Sequence, residues 1–325
     1  MDLQKLKTRY RQFGGMRLVW QYAKLHALWP AAKAGLGCLI HRKSFKAIYP
    51  AVLKKVEPFL IQRYKTLMRS EMEKIRGQAL EHNHNKIIWF CWLQGFDKFP
   101  PIVNACYHSI KRSLSDRDIK IVDNKNWKEY VQLPDYVVNK WEKRQIPASL
   151  FSDLLRLELL IKYGGTWIDS TVLCTGFNGS KAHKFKAFLD ADLFLFLYSK
   201  QGTIPVSISN WFISASTNNE ILIVLRDMLY AYWKDFDCTL DYYIFHLFFS
   251  LLSKEYPEAI STMPYGASQN SLALLHHWGD EFSQEKWDRL VSNVCFHKLA
   301  FRVSDDVLNN KKNYYNHILR EYGCF

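Results

Sequence analysis

The spacing of the hydrophobic residues changes near Lys86. Before it, apolar residues recur every three or four positions, at Leu18, Tyr22, Leu25 and Trp29, which is the spacing of one face of an α-helix. Lysine and arginine occupy other positions of the same segment, and glycines and prolines interrupt it. The pattern continues over 45–67, with Ile48, Val52, Val56 and Leu60 on one side. We therefore expect basic amphipathic helices before Lys86.

After Lys86, short apolar runs alternate with helical patterns. The run IIWFCWL at 87–93 is typical of a buried strand in a parallel sheet. Strands alternating with helices favour an α/β sheet, so we expect a basic helical arm over 1–82 and an α/β domain over 83–325. Further strands are predicted at 119–122, 166–168, 193–198, 211–215 and 294–301, and helices at 102–114, 150–163, 220–233 and 240–252.

The charge of the chain is concentrated in the arm. The first 70 residues carry fifteen Lys and Arg against two acids, which accounts for the whole net charge of +13. Such an arm packs on the body, lies on an anionic membrane surface or binds nucleic acid. Tryptophan at the edge of a basic amphipathic helix suits the headgroup region of a membrane. Packing and membrane association are therefore both favoured over nucleic acid.

Cysteine usage and apolar run length indicate the cellular location. The seven cysteines lie far apart without metal-ligand spacing, as reduced thiols of a cytosolic protein do. The longest apolar run, 242–252, has eleven residues, about half of the roughly 20 that cross a bilayer. We expect no signal peptide and no membrane span, and hence a cytoplasmic protein held on the inner face of the cell membrane.

The stretch KYGGTWIDST, 162–171, carries the candidate chemistry. Gly164 and Gly165 separate a predicted helix from a predicted strand that ends at Asp169. Ligands of α/β sheets bind beyond the carboxyl ends of the strands, where a carboxylate can hold a cation that neutralises a diphosphate. The alternative is an aspartate that caps its own loop. In the preceding helix Asp153 and Arg156 share a face, with a surface ion pair as the alternative.

Together these residues resemble a motif of the GT-A glycosyltransferases, SD-x-x-R followed by GG-x-aromatic-x-D-x-D. The chain looks most like bacterial capsular polysaccharide synthesis proteins, which are related to family 32 glycosyltransferases and to the glucosylating toxin catalytic domains. The resemblance covers 87 to about 302 and is densest over 149–175. It implies a GT-A fold with a mainly parallel sheet, a nucleotide-diphosphate-sugar donor, Mn²⁺ or Mg²⁺, and retention of the anomeric configuration.

The resemblance also implies roles for single residues. Asp153, Arg156 and Asp169 match the catalytic positions that touch the donor sugar, its phosphates and the metal. Trp89 matches the aromatic residue that stacks on the nucleobase, with a core position as its alternative. The other implied donor-site residues are Trp167 and Lys298, with Arg302 as a second candidate for the diphosphate. Candidates for the acceptor or sugar pocket are Asn210, Trp211, Asp241 and His246.

Thr171 departs from the motif because it replaces the second acid of D-x-D. A hydroxyl is a weak metal ligand. A metal must then be held by the diphosphate, Asp169, Thr171 and a distant ligand such as His297, or be dispensable. A variant chemistry is preferred here to a dead enzyme.

The sequence thus predicts a retaining glycosyltransferase. We expect it to move a sugar from a nucleotide donor, UDP-linked by preference, to a hydroxyl of a lipid-linked oligosaccharide in capsular or other surface polysaccharide synthesis. The arm over 1–70 would hold it on an anionic membrane surface, and no nucleic acid is expected as a partner. The alternatives are a catalytically silent, membrane-associated assembly factor of the same fold and a nucleic-acid-binding protein.

Overall fold

The computed structural model describes residues 10–40, 48–177, 182–197 and 208–323, with side chains from 38 to 40 left out. The strands in these ranges are β1 Ile87–Cys91, β2 Asp118–Val122, β3 Gly165–Asp169, β4 Val172–Cys174, β5 Leu193–Leu197, β6 Ile208–Ala215 and β7 Phe296–Lys298. The N-terminal helices are α1 Met16–Lys24, α2 Leu28–Ile40 and α3 Ile48–Arg76. They are followed by α4 Pro101–Ser113, α5 Trp127–Tyr130, α6 Asp135–Glu142, α7 Ala148–Tyr163, α8 Ala182–Leu189, α9 Glu220–Asp235, α10 Ile244–Glu255, α11 Ser268–His277, α12 Gln284–Asn293, α13 Asp305–Asn309 and α14 Tyr314–Tyr322.

A five-stranded sheet in the order β2-β1-β3-β6-β5 forms the centre of the fold. β1 runs parallel to β2 and β3, whereas β6 runs antiparallel to both of its neighbours, β3 and β5. Among these strands β6 alone therefore points the opposite way. The predicted α/β class, a mainly parallel sheet flanked by helices, is confirmed.

The two faces of this sheet bury separate hydrophobic cores. Trp89 and Trp167 point into a core shared with α3, α7, α9 and α10, while Phe90 and Ile168 point into a core shared with α4 and α14. Neighbouring residues of a strand face opposite sides of the sheet, so each strand contributes to both cores. Both sides are covered, and the strands accordingly read as continuous apolar runs.

The two glycines of KYGGTWIDST are required by the turn from α7 into β3. Gly164 ends the helix at φ +66°, and its amide donates to the Leu160 carbonyl at 2.8 Å. At Gly165, φ is +91° and a Cβ would lie 2.4 Å from the Ile87 carbonyl oxygen. Only glycine allows β3 to approach β1 this closely. The turn fixes β3 so that Asp169 lies at its carboxyl end.

The helix α3 packs on the same core as the sheet. Its apolar side is buried at Val52, Val56 and Leu60. Its basic residues pair with acids of the body: Arg63 with Asp235 at 2.9 Å, Arg69 with Glu255 at 2.6 Å, and Arg76 with Glu220 at 3.2 Å and Glu258 at 2.8 Å. The packing alternative holds for this helix, since its apolar side faces protein.

The helices α1 and α2 expose apolar side chains instead. Leu18 is buried and the Tyr22 hydroxyl donates to the Leu240 carbonyl at 2.9 Å, so one side of α1 contacts the body. The exposed residues, which we call the α1–α2 surface, are Met16, Trp20, Leu28, Trp29 and Leu36, with exposed fractions of 39–77%. No helix in the described part of the chain is long and apolar enough to cross a membrane.

Several boundaries differ from those predicted. The closing strand is Phe296–Lys298, shorter than 294–301, and the helix predicted at 240–252 is α10, Ile244–Glu255. The sequence did not indicate β4, the short partner of β7. Residues 1–9 and 41–47 of the arm, and Tyr198 at the end of a predicted strand, lie outside the described residues.

Candidate functional site

Asp169 lies where β3 ends, at the carboxyl edge of the sheet. Its Oδ1 accepts hydrogen bonds from Trp167 Nε1 at 2.9 Å and from Arg156 Nη2 at 3.2 Å, while Oδ2 accepts from Lys298 Nζ at 2.9 Å. Burial alone would raise the pKa of Asp169, but the charges of Lys298 and Arg156 outweigh it and hold the pKa below its usual value. Asp169 is therefore an ionised carboxylate between two cations.

Arg156 connects the two acids of the motif. Its Nη1 donates to Asp153 Oδ1, which also accepts from Asn210 Nδ2 at 2.9 Å. The guanidinium lies over the Trp167 ring, 4.8 Å from its centroid. The side chains of Asp153 and Arg156 are only 7% and 4% exposed. The surface ion pair considered from the sequence is thus a buried one, fixed to Asp169.

Burial also changes the proton affinity of Asp153. Loss of solvent, together with the charge of Asp169, raises its pKa to about 7, although Arg156 acts in the opposite direction. The two acids of the motif therefore differ: Asp169 stays ionised at neutral pH, whereas Asp153 titrates there.

Lys298 reaches the network from the far end of the chain. β4 and β7 pair antiparallel, with Val172 opposite Lys298, which brings the lysine next to Asp169 and Thr171. Its Nζ donates to Asp169 Oδ2 at 2.9 Å and to Thr171 Oγ1 at 2.6 Å. The Asp169 network, as we call it below, consists of Asp153, Arg156, Asp169, Thr171, Asn210 and Lys298.

Only part of this network is accessible to a ligand. Asp169 and Lys298 are 25% and 21% exposed, whereas the side chains of Asp153 and Arg156 lie beneath them. A bound molecule would meet a carboxylate, which accepts hydrogen bonds from hydroxyl groups, and an ammonium, which donates to anions. Hydroxyls and phosphates occur together in nucleotides and nucleotide sugars.

The residues around Asp169 do not fit a divalent cation. Mg²⁺ and Mn²⁺ prefer several oxygen ligands, with carboxylates foremost. Both oxygens of Asp169 and the hydroxyl of Thr171 accept bonds from protein donors, including the ammonium of Lys298. Among the residues that the structure describes, no group of three His, Cys, Asp or Glu side chains is placed to hold a metal.

Comparison with known proteins agrees with the resemblance seen in the sequence. A family model described as capsular polysaccharide synthesis protein matches residues 38–318. The chain belongs to this family. The match includes every residue of the Asp169 network and begins within the basic arm. The predicted recognition as a capsular polysaccharide synthesis protein is therefore confirmed.

Two further comparisons give no functional detail beyond the family. The chain is similar to a solved structure named PaToxG Glycosyltransferase, with 13% identity over 82% of this chain and 96% of that one, at a TM-score of 0.37. No match is found among the curated proteins.

The structure brings seven of the predicted site residues of this capsular polysaccharide synthesis protein together. Trp167 joins the network from beneath: it is 1% exposed, and its indole positions Asp169 and Arg156. A donor contact for Trp167 does not fit that burial. The seven residues are Asp153, Arg156, Trp167, Asp169, Thr171, Asn210 and Lys298.

The assignment of Trp89 to base stacking does not fit the structure. Trp89 is 1% exposed, its Nε1 donates to the Gly164 carbonyl at 2.9 Å, and it packs against Tyr130 and Tyr163. No nucleobase can reach a ring enclosed on all sides. The core alternative is the correct one, because Trp89 lies in the middle of β1 and not at its end.

The sequence did not lead us to Trp92, which lies at the end of β1. It follows β1, is half-buried and contacts Phe301 edge-on at 5.4 Å between centroids. Its Nε1 is buried without a hydrogen-bond partner among the described residues. The signal that could have found it is its position one residue beyond the strand, at the edge where ligands bind.

His297 is not placed as the distant metal ligand. It neighbours Lys298 on β7, so its side chain leaves the opposite face of the strand. Its Nε2 contacts Thr175 Oγ1 at 3.2 Å, and burial lowers its pKa to about 4. An imidazole enclosed on that side of β7 is not placed to share a metal with Asp169.

The remaining pocket candidates lie in a turn, in one of the two cores and on α10. Asp241 is 1% exposed and accepts from the Tyr49 hydroxyl at 2.6 Å and the Tyr243 amide at 2.8 Å, which joins α3 to the turn before α10. Trp211 stacks on Phe196 in the other core. Neither faces the network. His246 lies beside it, where burial and the charge of Arg156 lower its pKa to about 3.

Proposed function

We propose that this protein is a retaining glycosyltransferase that uses a nucleotide-sugar donor in the synthesis of capsular or another surface polysaccharide. Family membership supports a transferase of this kind. The observation that carries the proposal is the Asp169 network, in which a carboxylate and an ammonium are fixed side by side at the carboxyl edge of the sheet. That edge is where open α/β sheets bind their ligands.

The exposed groups of the edge suit the parts of a nucleotide sugar. Asp169 would accept hydrogen bonds from ribose or sugar hydroxyls, and Lys298 would donate to the diphosphate. Trp92, half-buried at the end of β1, offers an aromatic ring to the nucleobase. Asp153, Arg156 and Trp167 are positioning residues, since they hold Asp169 without reaching the surface. UDP is the preferred nucleotide.

We propose front-side attack for the transfer. The bond between the anomeric carbon and the diphosphate oxygen breaks, and its electron pair stays on the departing diphosphate. The acceptor hydroxyl oxygen bonds to the anomeric carbon from the same face and gives its proton to the departing phosphate oxygen. Stabilising the charge on the leaving group is the main contribution that fixed charges can make.

The acceptor is proposed to be a lipid-linked oligosaccharide at the inner face of the cell membrane. The α1–α2 surface supports this, because Trp20 and Trp29 are exposed next to basic residues. Lys24 Nζ lies 3.3 Å from the centroid of the Trp20 ring. Tryptophans flanked by lysine and arginine bind well to anionic headgroups, so the protein is expected to act as a peripheral membrane protein. Nucleic acid is not proposed as a partner.

Donor binding and turnover test the proposal together. UDP and GDP are titrated by calorimetry, and hydrolysis of UDP- and GDP-sugars is measured without acceptor. Asp169→Asn should lower turnover about 100-fold, the usual loss when one fixed stabilising group is removed. Trp92→Ala should weaken nucleotide binding by about 1–3 kcal/mol, as loss of a stacking ring does.

The matched control is Asp280→Asn. Asp280 is an exposed aspartate outside the Asp169 network, and it pairs with Lys286 at 3.0 Å. It should leave both measurements unchanged. Nucleotide binding without any hydrolysis or transfer would support the silent assembly factor instead. Absence of nucleotide binding altogether would contradict the transferase.

A further inference from the structure

The place where the D-x-D motif of related enzymes would hold a metal contains a lysine in this chain. Thr171 stands where the second acid would be, and the Lys298 ammonium bonds both to its hydroxyl at 2.6 Å and to Asp169 at 2.9 Å. The replaced acid and the added cation are therefore in direct contact. The threonine lowers the negative charge of the edge by one, and the lysine adds a positive charge to it.

A divalent cation could bind Asp169 beside this ammonium only at a large cost in electrostatic energy. Two cations about 4 Å apart repel each other strongly in a partly buried site, where the effective dielectric constant is about 20. A metal would also have to displace Lys298 from both of its acceptors. Asp153 is bonded beneath Asp169 to Arg156 and Asn210, and the described part of the chain places no group of three His, Cys, Asp or Glu side chains to hold a metal.

The ammonium of Lys298 has a donor that its two bonds to described residues do not use. An ammonium group has three N–H donors, and the described residues accept two of them. The side chain is 21% exposed, so the third can reach a ligand. The bonds to Asp169 and Thr171 hold the charge in place before a ligand arrives, which saves the cost of ordering a flexible side chain.

We propose that the Lys298 ammonium takes the place of the divalent metal, and that the protein binds nucleoside diphosphates and transfers sugar without one. This inference rests on the proposed function. As the bond from the anomeric carbon to the diphosphate breaks, the electron pair moves onto the phosphate oxygen and Lys298 donates a hydrogen bond to it. The lysine keeps its proton throughout, and the proton of the acceptor hydroxyl leaves with the diphosphate.

The first test uses the wild-type protein alone. UDP and GDP are titrated by calorimetry in EDTA and again with Mn²⁺ or Mg²⁺, and donor hydrolysis is followed under the same conditions. We expect the better-binding nucleotide to have the same affinity in every condition within about twofold, as the metal makes no contact. Loss of affinity by about tenfold or more in EDTA, a coupling of ordinary size between two ligands, would overturn the inference and leave the transferase intact.

The second test changes the lysine. Lys298→Ala should weaken nucleotide binding in EDTA about tenfold or more, as expected for a lost hydrogen bond between charged groups. Lys298→Arg should retain most of the affinity, because the positive charge remains. The control is Lys286→Ala, which removes a lysine paired with Asp280 at 3.0 Å and should change nothing. Equal affinity of Lys298→Ala and wild type would contradict the inference.

A further consequence concerns Mn²⁺ in the Lys298→Ala variant. With the ammonium removed, Asp169 and Thr171 are available to a cation that the diphosphate also binds, so Mn²⁺ should restore part of the lost affinity there and have no effect on wild type. Thermal unfolding shows whether each variant is folded, and the EDTA comparison on wild type needs no variant. If neither UDP nor GDP binds under any condition, the proposed function fails, and this inference with it.

Discussion

The Asp169 network and the α1–α2 surface depart from ordinary burial in opposite directions. In the network, charged side chains are enclosed: those of Asp153 and Arg156 are 7% and 4% exposed. On the surface, Trp20 and Trp29 are 57% and 77% exposed. Buried charges and exposed clusters of large apolar residues are the two informative exceptions in a folded chain.

The two regions differ in whether their side chains have suitable partners within the chain. Each buried charge of the network has a partner of opposite sign in the same chain, so the network is complete before a ligand binds. The apolar side chains of the α1–α2 surface are instead open to solvent in the described part of the chain. One region is thus held by contacts within the chain, whereas the other leaves apolar side chains exposed for the anionic membrane surface proposed above.

The largest effect is expected from breaking the buried ion pair. Arg156→Met removes the cation that Asp153 and Asp169 share, and at pH 8 it should lower the free energy of unfolding by about 3–5 kcal/mol. The matched control is Arg76→Met at an exposed pair, 38% exposed on the arginine, where a loss of less than about 1 kcal/mol is expected. Denaturant unfolding of both variants makes the comparison.

A double variant separates the lost partner from lost packing. In Asp153→Asn combined with Arg156→Met, the buried carboxylate is gone as well, so part of the stability should return. A double variant no more stable than Arg156→Met alone would show that the enclosed charge is not the cause. The network would then resemble any other packed region of the chain.

A smaller effect is expected on the α1–α2 surface. Trp20→Ala with Trp29→Ala should weaken binding to vesicles of anionic lipid about tenfold or more, because two large apolar side chains no longer enter the interface. Sedimentation with vesicles measures this. Tyr265→Ala is the control, since that ring is 64% exposed and has Lys184 Nζ 5.6 Å from its centroid. Unchanged vesicle binding of the double variant would mean that the surface serves another purpose.

A pH-dependent effect concerns the proton of Asp153. Its pKa of about 7 in the folded protein lies above its ordinary value of 3.8, so the folded state holds a proton between these pH values that the unfolded state has lost. Stability from this group is present below pH 3.8 and is lost as pH rises to 7. Relative to Asp153→Asn, wild type should lose up to about 1.4 kcal/mol per pH unit in that window.

Unfolding of both proteins from pH 4 to 8 measures this difference. The comparison removes the effect of Glu57 and Asp241, whose pKa values are also raised by burial. A difference that stays constant over the window would mean that Asp153 remains ionised beside Arg156.

Much of the network could be predicted because its parts are close in sequence. Asp153 and Arg156 share a helix face, and Gly164 and Gly165 fix the strand that carries Asp169, so local geometry brings the three together. Lys298 lies 129 residues beyond Asp169. Its arrival depends on the register of β4 with β7, which the spacing of apolar residues does not reveal. The same register decides that Lys298 faces the network and His297 does not.

The mistaken role of Trp89 has a similar physical origin. The run IIWFCWL contains two tryptophans, and only one of them lies beyond the last paired residue of the strand. That strand ends at Cys91, so Trp92 lies at the edge and Trp89 in the core. The alternation of side chains along a strand predicts which residues share a face of the sheet. It does not predict where the strand ends, because a strand buried on both sides has an apolar sequence that continues past its last paired residue.

The pairing of β4 with β7 also has a consequence during synthesis. Asp169 leaves the ribosome before Lys298, and at usual rates of elongation the interval is on the order of ten seconds. During that time the nascent chain holds the carboxylate and Arg156 but lacks the ammonium that completes the site. A partly made chain is therefore expected to bind a sugar nucleotide more weakly, and the proposed transfer should begin only once β7 has been made and has docked.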